Sequence, residues 1–411
     1  METEPGSVST QSISTPNKKM TWATFNDTQK IETLRAALPA VTRSVYLNTG
    51  TNGPLPRRAY DAILDYARVE FETGRIGQPA FDRFMGALND ARDLIAELLG
   101  CAADEIALTH NTTEGMNIAL LGLDWRAGDE LLTANSEHEG GLNPAAVLKA
   151  RYGVNVIYTD IGLSDCDPVA ALERALSPCV KAVVLSHASW ATGAILPMRE
   201  LCASAHRVGA LVICDAAQSC GMVPSNVREL GVDAYALSGQ KWLCGPDGTG
   251  ALYLRRELFP KIQNTFAGYF SLKKRVTRAD APIEFGDTAM RYQYASHYFP
   301  SVKGFAEALK WLRDEIGWEW IYRRTYELGQ YAYEELSKIN GVNLYLPRAQ
   351  IAGLIHFTVD GIAPADLTAK LFEQNILIRH TPEPALNRVS TGFYNTAAEI
   401  AQLSAAIRSL Q

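Results

Sequence analysis

The sequence predicts an α/β protein, with a large domain built on a mostly parallel seven-stranded sheet and a smaller α+β domain at its C-terminal end. From Tyr46 to about Lys261, short apolar runs alternate with helical periodicity, the order that lays helices over both faces of a parallel sheet. Nearly every polar cluster falls where one of those runs stops, and in open sheets of this kind ligands bind beyond the carboxyl ends of the strands. After Phe285 the alternation gives way to two long helical patterns and then a mixed set.

The first 20 residues are rich in Ser and Thr and lack an apolar core. They are expected to be a disordered tail, and they read as neither a signal peptide nor a membrane anchor. Residues 21–45 are expected to pack with the small domain. Strands of the large domain, 46–285, are expected at Glu105–Thr109, Glu130–Ala134, Val154–Thr159, Ala182–Ser186, Leu211–Asp215, Ala234–Leu237 and Gly250–Leu254. Helical periods such as Asp82–Leu99 and Met198–Val208 lie between them, the second introduced by Pro197. Lys261–Phe285 has no clear period and reads as a connection with a mobile tip at Lys273–Asp280. Over 286–411, helices near Pro300–Ile316 and Glu319–Ile339 precede strands around Val342–Leu346 and Leu354–Val359. A helix at Ala363–Gln374 and a last one after Asn395 complete the small domain.

A chain of 411 residues, 47% hydrophobic and 20% charged, has the size and make-up of two soluble domains. Its formal charge of −6 gives no electrostatic reason to bind nucleic acid or an anionic membrane, so a small molecule is the expected partner. The seven cysteines form no CxxC pair, which argues for a reducing cytosol and against a structural metal.

The chemistry centres on Lys241, in Ser238-Gly239-Gln240-Lys241-Trp242, and on Asp215 at the end of Leu211–Asp215. The two charges are 26 residues apart, room for one helix and a return strand. That arrangement suits pyridoxal phosphate. A lysine amine stripped of its charge by desolvation can form a Schiff base with the aldehyde, while a carboxylate keeps the pyridine nitrogen protonated. Together these residues resemble the class V aminotransferase family, which includes cysteine desulfurases, cysteine/cystine lyases and isopenicillin N epimerase-like enzymes. The likeness runs from about Tyr46 to the C-terminus and implies the fold type I architecture of pyridoxal phosphate enzymes.

Other positions take roles from the same resemblance. Asn111-Thr112-Thr113-Glu114 opens a helix after a strand, where backbone amides favour an anion, and Asn111 with Glu114 also makes a capping box. The family's phosphate loop carries that role onto Thr112 and Thr113. His138 resembles the histidine that stacks on the cofactor ring, and Gln218 the residue that bonds the ring hydroxyl. Ser238 and Gln240 flank the lysine and can donate to the phosphate, although the family usually has His where Gln240 stands. Ser296 resembles the residue that reaches the phosphate of a neighbouring subunit, which implies a homodimer with shared active sites. Arg388 resembles the arginine that clamps the substrate carboxylate, with Arg379 nearby in sequence.

Departures from the family pattern narrow the reaction. Desulfurases carry a mobile cysteine shortly before the substrate arginine, but His380-Thr381-Pro382-Glu383-Pro384-Ala385-Leu386-Asn387 contains none. Trp190 stands where desulfurases have Asn, and with Ile195-Leu196-Pro197 it resembles the cysteine/cystine lyase branch. The expected activity is therefore a carbon–sulfur β-lyase on cystine, cysteine or another S-substituted L-cysteine, giving pyruvate, ammonia and a thiol or persulfide. An epimerase or aminotransferase of the same family is the main alternative. A non-catalytic cofactor-binding protein is disfavoured, because Lys241, Asp215 and Arg388 are all present.

Overall fold

A computed structural model describes residues 28–163 and 166–411. The expected tail, 1–20, lies outside the described residues. The large sheet has seven strands in the spatial order Ile106–Thr109, Gly250–Leu254, Ala234–Ser238, Leu211–Asp215, Val180–Ser186, Glu130–Ala134, Asn155–Thr159. All neighbours pair in parallel except around Gly250–Leu254, which runs antiparallel to both of its neighbours. That reversal brings Gly250 level with Thr109 and Ser238. Only a residue without a side chain fits there, since a Cβ would lie 2.6 Å from Leu237 O and 3.0 Å from Asn111 Cα.

Helices cover both faces because the strands are apolar on both. Leu211–Asp215 and Ala234–Ser238, for example, are almost entirely inaccessible. Arg57–Thr73, Gln78–Leu99 and Phe299–Lys310 pack together on one side. From this layer Phe305, 1% exposed, reaches under the Lys241 turn. A Cβ at Gly239 would lie 2.9 Å from its ring and one at Gly245 2.7 Å. Truncating such a buried ring costs about 3–5 kcal/mol and would loosen the turn that aims the lysine.

The C-terminal part holds a four-stranded antiparallel sheet ordered Arg379–Thr381, Leu386–Ser390, Leu354–Val359, Val342–Leu344. Its first two strands depart from the expected order of elements, in which a helix led straight to the last helix. Each is short, and Pro382 and Pro384 between them hide the alternation. The helix expected at Pro300–Ile316 is α-helical over Phe299–Lys310 and widens into a π turn over Trp311–Ile316. The N-terminal helix Thr28–Ala36 lies against this part of the chain: Arg35 pairs with Glu399 at 2.9 Å, and Lys30 Nζ donates to Ile316 O at 2.7 Å. Val45–Tyr46 then pairs in parallel with Ile376–Leu377 and leads the chain into the cleft between the two parts.

Candidate active site

The carboxyl ends of the parallel strands, the loop at 48–54 and the strand Leu386–Ser390 enclose a cavity of about 240 Å³. Larger hollows open around Tyr158 and Arg174, about 620 Å³, and around Trp125 and Lys181, about 930 Å³. None of the buried polar atoms left without a partner belongs to their linings. Several belong to the smaller cavity, which is where the chemistry gathers.

Its floor is Asp215 and Lys241. Asp215 ends its strand level with Ser186 of the next one, and its Oδ1 accepts the Ala217 amide at 2.8 Å. Lys241 follows the strand Ala234–Ser238 by three residues and lies under the 48–54 loop. Gly53 N donates to Gln240 O at 2.7 Å, and a Cβ on Gly53 would stand 2.2 Å from Lys241 O, so glycine permits this approach. Burial lowers the Lys241 ammonium to about 8; the charge of Asp215 opposes the shift, and Arg388 and Arg379 add to it. The amine is thus partly uncharged at neutral pH, the state a nucleophile or base needs.

One end of the cavity is built for an anion without using a cation. The helix Thr112–Leu121 starts there, with Asn111 Oδ1 capping the Glu114 amide at 2.9 Å. Glu114 Oε2 reaches back to the His110 amide at 2.7 Å, one residue earlier than a standard capping box. Thr112 Oγ1 and Ser238 Oγ are buried, face this end and have no partner among the described residues. Gln240 Oε1 is also unpaired, and a half-turn of the amide would present its Nε2 instead. A Cβ at Gly140 would lie 2.9 Å from Thr113 Oγ1, so a second helix start, Glu139–Tyr152, closes against the threonine.

The opposite end is cationic. Arg388 is 1% exposed, yet no carboxylate pairs with it among the described residues. Its Nη2 donates to Thr51 Oγ1 at 3.1 Å, its Nη1 to Trp190 O at 3.4 Å, and its Nε finds no partner. Burial lowers this guanidinium to about 9, with the charge of Arg379 contributing. Arg379, exposed at the mouth, donates to the same Thr51 hydroxyl at 3.3 Å, and Thr51 donates onward to Asn48 Oδ1 at 2.8 Å. A buried arginine held only by dipoles is costly unless an anion completes the site.

His138 and Trp190 form the wall, their rings edge to face at 5.2 Å. His138 Nδ1 accepts the Gly140 amide at 3.0 Å, so the neutral ring carries its proton on Nε2, and desolvation keeps that ring neutral. Behind it Glu137 accepts from Ser186 Oγ through Oε1, while its Oε2 has no partner among the described residues. Burial and the charge of Asp215 raise Glu137 far above the usual carboxylate range.

The cavity therefore brings together Thr112, Thr113, His138, Trp190, Asp215, Gln218, Ser238, Gln240, Lys241, Arg379 and Arg388. Ser296 is exposed and outside it. Gln218 is already engaged, its Nε2 donating to Gly50 O at 2.8 Å and its Oε1 accepting from Trp242 at 3.0 Å, which leaves one N–H for a ligand. Thr51 and Gly50 also line the cavity, and sequence reasoning missed both. The signal was Thr49-Gly50-Thr51-Asn52-Gly53-Pro54, a turn cluster right after a short strand.

Pyridoxal phosphate fits this arrangement. Two unpartnered buried hydroxyls at a helix start suit its phosphate, a buried carboxylate suits its ring nitrogen, and a lysine with depressed charge suits its aldehyde. Fold and site define a pyridoxal-phosphate-dependent enzyme of fold type I. Residues 45–403 match the family model described as Aminotransferase class-V, and the chain belongs to that family. A probable cysteine desulfurase 2 of Mycobacterium leprae (strain TN) is 31% identical, the match covering 92% of this chain and 96% of that protein. The cystine C-S lyase C-DES, solved with its reaction product cysteine persulfide, superposes with a TM-score of 0.86 at 29% identity, covering 90% of this chain and 99% of that one. A C-DES mutant with glycine covalently linked to its PLP cofactor gives a TM-score of 0.87 at 29% identity, covering 91% and 98%.

Proposed function

We propose that the protein is a carbon–sulfur β-lyase acting on cystine, cysteine or another S-substituted L-cysteine, releasing pyruvate, ammonia and a thiol or persulfide. One observation carries this reading: no cysteine lines the cavity among the described residues, and none lies between Arg379 and Arg388. Burial pushes the Cys202, Cys220 and Cys244 thiols up to about 12, so none of these is a ready thiolate. The likeness to the cystine C-S lyase supports the same reaction.

Bound in the cleft, pyridoxal phosphate would supply an aldehyde for the substrate amine and a ring able to take up the electron pair released at Cα. Thr112, Ser238 and the helix start would hold the phosphate, and Asp215 would keep the proton on the ring nitrogen. Arg388 binds the substrate carboxylate, turning the Cα–H bond toward the lysine. Lys241 Nζ takes the Cα proton, and the carbon–sulfur electron pair departs with the sulfur. The neutral His138 ring would offer its Nε2–H to the bound group. Trp190 limits water at the wall.

The name of the Mycobacterium leprae relative favours desulfuration instead. Product analysis separates the readings. Pyruvate forming in step with released thiol or persulfide supports the lyase; alanine with a protein-bound persulfide would replace it with a desulfurase. D-isomer alone would indicate an epimerase, and a keto acid formed only with an amino acceptor an aminotransferase.

The proposed unit is a homodimer in which Ser296 reaches the partner's phosphate site. Tyr60, Leu64 and Phe71 support it, since they share one stripe of the helix Arg57–Thr73. Phe71, and Ile76 just beyond the helix, are 90% and 95% exposed. Sedimentation of a fully active monomer would overturn the dimer. We also place the two domains at 46–285 and 286–411 and the protein in a reducing cytosol, in keeping with its seven free cysteines. No helix of the described residues is long and apolar enough to cross a membrane.

A further inference from the structure

The loop that carries Trp190 is tied to the arginine end of the cleft through one carbonyl. Over 187–196 the chain folds back on itself: Ser189 N donates to Ala194 O at 2.9 Å, and Leu196 N to His187 O at 2.9 Å. Thr192 Oγ1 fastens it to Gly162 O at 2.8 Å. At its tip the Trp190 indole faces the cavity, while the Trp190 carbonyl turns toward the small sheet. That oxygen takes Arg388 Nη1 at 3.4 Å, a long and weak bond. It also takes His356 Nε2 at 3.1 Å.

His356 is 2% exposed and stands directly opposite Arg388 on the neighbouring antiparallel strand. Directly opposed residues share one face of a sheet, so the two side chains approach the loop together. The loop makes room for the ring. Gly193 has φ +83°, and a Cβ there would lie 3.1 Å from His356 Nδ1 and 2.6 Å from Leu354 O. A carbonyl can only accept, so the ring donates from Nε2. Burial and the Arg388 charge drive the imidazolium down to about 3, which keeps this ring neutral beside the guanidinium.

We infer that His356 is a positioning residue for substrate-carboxylate recognition: by holding the Trp190 carbonyl it fixes the loop and the acceptor that aims Arg388. Among the described residues Arg388 has no counter-ion, and its hydrogen bonds go to the Thr51 hydroxyl and this carbonyl. Removing the His356 donor frees the carbonyl to swing, and the guanidinium fork loses one of its two guides. The inference rests on the reading that Arg388 binds the substrate carboxylate.

The test uses holoenzyme and two ligands without a leaving group, glycine and glycinamide, with binding read from the cofactor's absorbance change. Wild type is expected to prefer glycine. His356→Leu should cut that preference on the order of tenfold, the scale of one lost hydrogen bond, and leave the glycinamide Kd unchanged. His356→Gln, whose amide nitrogen can replace Nε2, should restore it. A leucine variant with unchanged preference, or one that weakens both ligands equally while lowering the Tm, would overturn the positioning role. Arg388→Ala separates the two levels: if wild-type preference for glycine survives it, the carboxylate-site reading fails and the inference fails with it.

Discussion

The two ends of the cleft solve anion binding in opposite ways. At the large-domain end the donors are neutral: the Thr112 and Ser238 hydroxyls and the start of the helix Thr112–Leu121. At the small-domain end they are the guanidiniums of Arg388 and Arg379, bridged by one threonine hydroxyl. A helix start with unpaired hydroxyls suits a phosphate that stays bound, since a fixed dipole needs no counter-ion when empty. On the proposed reading, charge is kept for the end that would bind and release the substrate carboxylate. The arginines also act at a distance, because their charges help to lower the Lys241 ammonium while Asp215 raises it. Reactivity and recognition are therefore linked at the cationic end and independent at the neutral one.

The largest break in this picture should come from Lys241→Ala. Loss of the proton-transfer group should lower kcat by about 10³-fold or more, with the cofactor no longer covalently held. Arg388→Ala should come next. Truncating one member of a buried charge pair costs about 2–5 kcal/mol, read as a fall in kcat/KM for S-substituted cysteines. Arg379→Ala should cost only about 1 kcal/mol, because that side chain is exposed and screened, and its effect should shrink further with added salt.

pH sharpens the link between recognition and reactivity. Lys241 condenses with an aldehyde only when unprotonated, so the rate at which cofactor-free protein captures pyridoxal phosphate should rise with pH, reach half its maximum at about 8 and level off above that. Removing either arginine takes away repulsion of the ammonium, so the rise should move to higher pH. A Thr112→Val change at the neutral end should leave that midpoint in place. It should weaken cofactor retention by about 1 kcal/mol, measured by dialysis and reconstitution.

Legibility in the sequence followed the same division. The neutral end and the floor sit at strand ends and a helix start, so local pattern pointed to Asp215 and Lys241 and to an anion-favouring helix start, where the family's phosphate loop then singled out Thr112. The cationic end is assembled across long distances: Arg388 reaches Thr51 and Trp190 through contacts that no local period records. Its strand escaped notice because two prolines interrupt the hairpin, and the arginines were found by family resemblance instead. His356 reads in sequence as one polar residue in an apolar strand, and only the pairing with Arg388 gives it a role. Glu137 was likewise hidden beside the more conspicuous His138.

The most direct test of the account is to reduce the pyridoxal-phosphate-loaded protein with borohydride, digest it and locate the phosphopyridoxyl mass on a peptide. The account predicts stoichiometric label on Lys241, in the peptide spanning Ser238-Gly239-Gln240-Lys241-Trp242. Label on another lysine, or none after reconstitution, would contradict it.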